Sequence, residues 1–289
     1  MYIALDIGGT FIKYGFINKG GEVVAHEQTP TQAQLGGPHV LKKLCGLIEQ
    51  GMETYALEGI CISTCGVVDP KRGRIIHAND NLPNYAGMEL KRELEARFGI
   101  PCAVENDVAC AALAEHFSGA SKGSGVSVCL TVGTGIGAAI VIDGKIFHGS
   151  NFFAGEVGYM NMFYGSDINF ESAASALALE SKTGLSGHEA IEKAKLGDAA
   201  CVRAIAEVCD MLGHGIANIC YVVNPQVVVI GGGISAQEDF LAPQIRRAMD
   251  KYLIPAIGGK TVLAFAKHKN LAGLLGAYYN IRHMREVCR

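Results

Sequence analysis

Short apolar runs broken by glycine-bearing turns open this chain, and stretches with apolar residues at helical spacing alternate with them afterwards. Residues 1–5 form one β-rich run and residues 11–17 another, with Asp6-Ile7-Gly8-Gly9-Thr10 between them. That pattern predicts a strand, a tight turn and a returning strand. Gly20 and Gly21 turn the chain into a third strand over 22–26, and 29–38 is polar and turn-rich. Over 40–52, Val40, Leu41, Leu44, Leu47 and Ile48 recur at the spacing of one helix face. A strand over 57–63 then runs into the loop 64–70, the polar stretch 79–84 is irregular, and 88–98 reads as an amphipathic helix. A strand over 100–104 meets Glu105-Asn106-Asp107, followed by a helix over 108–117.

The glycine-rich stretch 118–125 is the best candidate for a domain junction. After it the opening pattern returns: a strand over 126–131, the turn Val132-Gly133-Thr134-Gly135-Ile136-Gly137, a strand over 138–142, then Asp143-Gly144 and a short third strand. The second glycine turn lies about 125 residues after the first, a period that signals a duplicated domain rather than a solenoid. Helices are predicted over 169–183, with Ala173, Ala174 and Leu177 facing inward, and over 189–195, 199–221 and 237–252. Met160 and Met162, beside Phe163, read as core packing. Strands over 226–230 and 261–266 and a last helix opening at 268–277 complete the pattern.

Composition narrows the class. At 289 residues, 49% hydrophobic and 18% charged, the chain is globular and long enough for two ordinary domains. The net charge of −3, without a basic run interleaved with aromatics, speaks against a nucleic-acid partner. No leader-like pattern opens the chain and no apolar run approaches a bilayer span, so a cytoplasmic protein with no membrane partner is expected. The ten cysteines, none in a C-x-x-C pair, are read as reduced, buried thiols.

Candidate chemistry gathers at the turns. Without Cβ atoms at Gly8 and Gly9 a phosphate approaches the backbone closely, and both N–H groups are expected to point at it. Thr10 adds a hydroxyl, Lys13 a neutralising charge, and Asp6 a carboxylate placed to hold the waters of a Mg²⁺ ion. An ordinary hairpin explains the same residues. Gly66 lies at the carboxyl end of a strand, where ligands gather in α/β sheets, and equally suits a plain turn. Asn106 and Asp107 both suit a helix cap, but Glu105-Asn106-Asp107 exceeds what a cap requires, and Asp107 takes the functional reading. A helix N-terminus favours an ionised carboxylate, so Asp107 is expected to be charged at neutral pH and a weak base. Gly155 and Gly158 flank Glu156 and present it, while Gly231-Gly232-Gly233 ends a buried strand at a helix start, another place for backbone to meet a ligand.

Taken together, Asp6-Ile7-Gly8-Gly9-Thr10, Glu105-Asn106-Asp107, Val132-Gly133-Thr134-Gly135-Ile136-Gly137, Gly155-Glu156-Val157-Gly158 and Ile230-Gly231-Gly232-Gly233-Ile234 resemble the ROK family of sugar kinases, repressors and open reading frames, over 2–279. The resemblance implies an α/β, actin-like ATPase (ribonuclease H-like) fold, duplicated into two domains with a central cleft. One lobe would span 1–117, joined by a C-terminal helix over about 272–289, and the other 118–271. It further implies that Gly8 to Thr10 and Gly133, Thr134 and Gly135 hold ATP phosphates, with Gly231, Gly232 and Gly233 by the adenosine. Asn106, Asp107, Glu156 and Glu171 would bind sugar hydroxyls, with Asn81 and Gly66 nearby, and Asp107 would be the catalytic base in a Mg²⁺-dependent transfer.

Many family members carry His after Gly-Glu-Val-Gly and a downstream cysteine cluster that binds zinc. Tyr159 stands at that position, 161–169 holds no cysteine, and no zinc site is expected; Tyr159 would contact the sugar less polarly than His, or only wall its pocket. That wording, with His268-Lys269-Asn270 before Ala272-Gly273-Leu274-Leu275-Gly276, resembles the zinc-free branch typified by β-glucoside kinases, which act at the 6-hydroxyl. Cys65 stands where the family has Pro before glycine, a departure in the shape of that loop. The expected assembly is a homodimer. Glucokinase and N-acylmannosamine kinase are the neighbouring activities; a sugar-responsive repressor would need a helix-turn-helix before the first glycine turn. A non-catalytic sugar-binding regulatory protein is the reading from another class.

Overall fold

The computed structural model describes residues 1–287. The chain divides into two compact units, one made of Met1–Phe117, Gly149–Phe153 and the stretch from Asn270 onward, the other of Ser118–His148 and Ala154–Lys269.

In the first unit β1 (Tyr2–Ile7), β2 (Phe11–Ile17) and β3 (Val23–Pro30) form an antiparallel meander. Helix α1 (Gly37–Thr54), strand β4 (Gly59–Thr64), the hairpin β5 (Val67–Asp69) and β6 (Arg74–His77), helix α2 (Leu90–Phe98), strand β7 (Cys102–Asn106) and helix α3 (Asp107–Ser118) follow. The sheet order is β3-β2-β1-β4-β7, with β4 parallel to both β1 and β7. β3 is longer than expected because Gln28 and Thr29 continue the ladder opposite Lys13 and Ile12. The β5–β6 hairpin was not legible: its strands are too short to show a period.

In the second unit the chain runs through β8 (Val126–Val132), β9 (Ile136–Ile142), β10 (Lys145–Ile146), α4 (Phe170–Ala174), α5 (Ala176–Thr183), α6 (Gly187–Lys195), α7 (Ala199–Val223), β11 (Val227–Gly231), α8 (Glu238–Tyr252) and β12 (Val262–Phe265). Its sheet order, β10-β9-β8-β11-β12, repeats that of the first unit, strand for strand in direction. The duplication read from the glycine turns is thus a duplication of topology. The chain returns to the first unit as α9 (Ala272–Val287), after a single 3₁₀ turn over Lys269–Leu271.

Alternation along β1 explains how the first unit is layered. Ile3, Leu5 and Ile7 pack with Val40, Leu44 and Ile48 of α1, whereas Tyr2 and Ala4 pack with Leu274, Leu275 and Tyr278 of α9. A strand buried on both faces reads as a continuous apolar run, as β1 does. Asp6 has the parity of Tyr2 and Ala4, so its side chain belongs to the face that α9 covers.

The predicted single helix over 169–183 is broken. Ser175 is extended (ψ 173°), its Oγ accepts the Ala178 N–H, and the Ala176 N–H leaves the helix to donate to Gly133 O at 2.8 Å. Serine competes for backbone partners in this way and starts helices better than it continues them. Leu177, expected to face inward, is 53% exposed on the far side of the break. Met162 joins the core and Met160 packs against it, while Phe163 is exposed. The described cysteines form no disulfide; all but Cys65 are buried, and Cys288 lies outside the described residues. Among the described residues no helix is long and apolar enough to cross a membrane.

Candidate active site

The turn between β1 and β2 corrects one expectation. The Gly8 N–H donates to Phe11 O at 3.0 Å and closes the hairpin, so it does not point at a ligand. Thr31 secures the same turn, donating from Oγ1 to Gly8 O at 2.6 Å and from its N–H to Thr10 O at 2.8 Å. Gly9 has open space where a side chain would stand, and Gly9 and Thr10 are exposed.

Asp6 is held from three directions. Ser63 Oγ donates to its Oδ1 at 2.6 Å, and Lys13 is its direct cross-strand partner. The third contact is Gly273, in the first turn of α9. A Cβ there would stand 2.4 Å from Asp6 Cγ and 2.6 Å from each carboxylate oxygen, so only glycine lets the helix seat on this carboxylate. Burial pushes the Asp6 carboxyl up, against the Ser63 bond and the Lys13 charge that pull it down. Ser63 was not singled out in the sequence, whereas Gly273 lies in the small-residue stretch that opens the last helix, read there as allowing close packing. The Leu-Ala-Gly-Leu-Leu-Gly pattern of α9 was the available signal, since small residues at helical spacing mark close packing.

At the start of α3, Asn106 and Asp107 divide the work. Asn106 Oδ1 accepts the N–H groups of Val108 (2.9 Å) and Ala109 (3.0 Å) and so caps the helix. Its Nδ2 donates to Gly66 O at 2.9 Å and to Asp107 Oδ1 at 3.0 Å. Both amide hydrogens and both oxygen lone pairs of Asn106 are thereby spent on protein atoms. The Val108 N–H also reaches Asp107 Oδ1 at 2.9 Å. Despite these bonds the Asp107 carboxyl is pushed up to about 6, first by burial and then by the negative charge of Asp6. The expectation of a weak base at a helix N-terminus is therefore wrong in direction: loss of hydration outweighs the helix end.

Gly66 is explained by the backbone: its φ is +92° and a Cβ would stand 2.5 Å from His77 O. The half-buried Cys65 thiol beside it is pushed up to about 11, by burial and then by the charge of Asp107. Asn81 stays exposed in the polar stretch before Tyr85, whose hydroxyl pairs with Thr64 Oγ1 at 2.7 Å.

The second unit builds its own constellation. Gly133 N–H donates to Gly135 O at 2.9 Å, closing the turn, and Thr134 is exposed. Glu171 Oε2 accepts the Ile136 N–H at 2.9 Å, and a Cβ on Gly135 would lie 2.3 Å from the same oxygen. Glu171 is thus tied to the glycine turn. Glu156 precedes a 3₁₀ turn over Val157–Tyr159, and Tyr159 is 76% exposed. Of the three glycines at the end of β11, Gly232 (φ +79°) is needed because a Cβ would meet Val132 O at 2.4 Å, whereas Gly233 borders open space. The open space at this loop lies at Gly233 rather than at Gly232.

Gly233 also borders a cavity of about 280 Å³, walled by Leu179, Ile191, Ile205 and Leu241, with His188 among its lining residues. The sequence did not show this cavity, because its wall comes from α5, α6, α7, α8 and the loop after β11. Among the described residues no cluster of three or more His, Cys, Asp or Glu is arranged to hold a metal ion.

A family model described as the ROK family matches residues 2–283. An uncharacterised protein of Clostridium perfringens is 44% identical over 98% of each chain. A β-glucoside kinase of Listeria monocytogenes is 32% identical over 96% of each chain. Among solved structures, a ROK family glucokinase from Streptomyces griseus in complex with glucose and AMPPNP superposes with a TM-score of 0.80 at 27% identity, covering 96% of this chain and 97% of that one. With its actin-like ATPase fold and a match along nearly its whole length, the chain belongs to the ROK family.

Proposed function

We propose that this ROK-family ATP-dependent sugar kinase phosphorylates a hexose or β-glucoside at its 6-hydroxyl, with Asp107 as catalytic base. The observation that carries the reading is the division of labour at the start of α3. Asn106 does the capping and clamps one oxygen of Asp107, leaving a carboxylate whose raised pKa of about 6 suits proton removal near neutral pH. A helix end with no chemical role needs only the cap. With its amide fully engaged, Asn106 serves as a positioning residue for Asp107.

The sugar is read by Asp107, Glu156 and Glu171, with Tyr159, Asn81 and the Gly66 loop nearby, since carboxylates at fixed angles distinguish hydroxyl patterns. Glu171 is fixed by its bond to the Ile136 amide, so the carboxylate on the sugar and the turn on the phosphates are one rigid piece. Phosphate oxygens are held at Gly9, Thr10 and Lys13, and at Thr134 and Gly135 of the turn that the Gly133 N–H closes. The nucleobase enters the cavity beside Gly233. Burial first and the charge of Asp6 second raise Asp107, and a divalent cation between the two carboxylates would relieve the second. A Mg²⁺ ion held through water on Asp6 and by phosphate oxygens needs no dedicated cage, and when bound it neutralises charge on the phosphates.

The Listeria relative favours a β-glucoside, while the Streptomyces neighbour favours glucose. N-acylmannosamine is the third candidate. A coupled ADP-release assay over hexoses, N-acylated hexosamines and aryl β-glucosides ranks them by kcat/KM, and ADP release with none would establish the non-catalytic sugar-binding alternative. The acceptor position is read by NMR of the product; phosphate on any oxygen other than O6 overturns that part. Cytoplasmic location and a homodimer complete the proposal, the latter checked by sedimentation. Zinc-free folding follows from Tyr159: a zinc-selective chelator is expected to leave the melting temperature unchanged, and stoichiometric zinc by elemental analysis would refute this.

A further inference from the structure

We infer that His188 is the ring that closes over the nucleobase, and that it sets nucleotide affinity without taking part in sugar recognition. The inference rests on the reading that the cavity beside Gly233 takes the base. Its volume of about 280 Å³ sits at the small end of ligand pockets and suits a base rather than a whole nucleotide.

The walls offer apolar contact and little else. Leu179, Ile191, Ile205 and Leu241 are all nearly or fully buried. Besides His188, two polar side chains reach the lining, and each has its oxygen engaged as an acceptor: Ser175 Oγ accepts the Ala178 N–H at 3.3 Å, and Gln237 Oε1 accepts from Lys195 Nζ at 2.8 Å. With walls this apolar, a base held here meets mainly flat packing. Flat packing favours a ring on its face, and His188 supplies the one ring among the residues lining this cavity. The side chain is exposed, in the first turn of α6, so it is available to a ligand at the opening.

Its backbone is held for that task. Ser186 and Glu189 form a reciprocal capping box, with Glu189 Oε2 accepting the Ser186 N–H at 3.0 Å and Ser186 Oγ accepting the Glu189 N–H at 3.3 Å. The box brackets Gly187 and His188 and fixes the backbone from which the ring leaves the helix. Base stacking on a side-chain ring is sequence-tolerant and is lost on truncation to alanine.

Three variants test this: His188→Ala, His188→Phe and Ala236→Trp, the last placing a bulky ring at an exposed lining position. His188→Ala is expected to raise the KM for ATP about tenfold, with kcat at saturating ATP within about twofold and sugar KM unchanged. His188→Phe is expected to restore the ATP KM, since the ring face rather than the imidazole nitrogens does the work. Ala236→Trp is expected to raise the ATP KM at least as much. If Ala236→Trp acts and His188→Ala does not, or if Phe fails to rescue, the role of His188 is overturned while the cavity remains the base site. If Ala236→Trp leaves ATP KM unchanged in a folded protein, the base binds elsewhere and both readings fall. Melting curves for each variant separate these outcomes from misfolding.

Discussion

Replacing Asp107 with asparagine is expected to lower kcat about a thousandfold while sugar KM moves by less than about threefold. The amide keeps an oxygen where Asp107 Oδ1 accepts from Val108 N–H and Asn106 Nδ2, so the start of α3 stays folded. It loses the basic oxygen. Phosphoryl transfer is loose, so the base is needed late and position matters most, but a proton must still leave the attacking hydroxyl. Unchanged turnover would end the assignment. The wild-type pH profile carries a second signature: the base is the ionised form, so kcat/KM should fall about tenfold per unit below pH 6, the value to which burial and Asp6 lift this carboxyl.

The same shift has a consequence for stability with a definite sign. The folded pKa lies above the unfolded value of about 3.9, so between about pH 4 and pH 6 the folded state binds more protons than the unfolded one. Stability from this group therefore falls as pH rises through that window, and at pH 7 the native state carries the full cost of the charge. Asp107→Asn should be more stable than the wild type at pH 7, by about 1–2 kcal/mol after allowance for partial exposure, and the difference should vanish near pH 4. Calorimetry at the two pH values measures it. A gain in stability from removing a catalytic group is the usual mark of a strained site.

The stability change expected to be greatest is at Gly276. This residue packs α9 against α3, and a Cβ there would stand 1.7 Å from Cys110 O and 2.3 Å from its carbonyl carbon. Those atoms are helix backbone and cannot swing aside, so Gly276→Ala must push the two helices apart. The expected cost is about 3 kcal/mol or more, a fall of roughly 6–12 °C in melting temperature. Displacing α9 also moves Gly273 off Asp6 and disturbs α3, which begins at Asp107, so kcat should fall with stability. Gly46 is the control: it lies exposed in α1 with nothing within 4 Å of an added Cβ. Gly46→Ala should stabilise by about 0.5–1 kcal/mol through helix propensity alone. Equal effects at the two positions would refute the packing argument.

Legibility followed the range of the interactions. β1, β2, β8 and β9 were readable because apolar runs and glycine turns are signals within a dozen residues. The break at Ser175 was not, because Gly133 O, far away in sequence, captures the Ala176 N–H and converts one helix into two. The glycines were readable as special but not as to why. Gly8 has its N–H committed to the turn, Gly232 yields to Val132, and Gly135 yields to a side chain that arrives from α4.

Local patterning along the chain was enough to establish a duplicated α/β architecture, its two glycine turns and a strand-end carboxylate at residue 107, since strand period, turn chemistry and repetition are all written in neighbouring residues. Folding in three dimensions decided the proton affinity of that carboxylate. Burial, and an Asp6 that α9 covers from the far end of the chain, raise its affinity for a proton although the adjacent helix terminus pulls the other way. Desolvation and charge–charge repulsion act through space, and no window of sequence contains both partners.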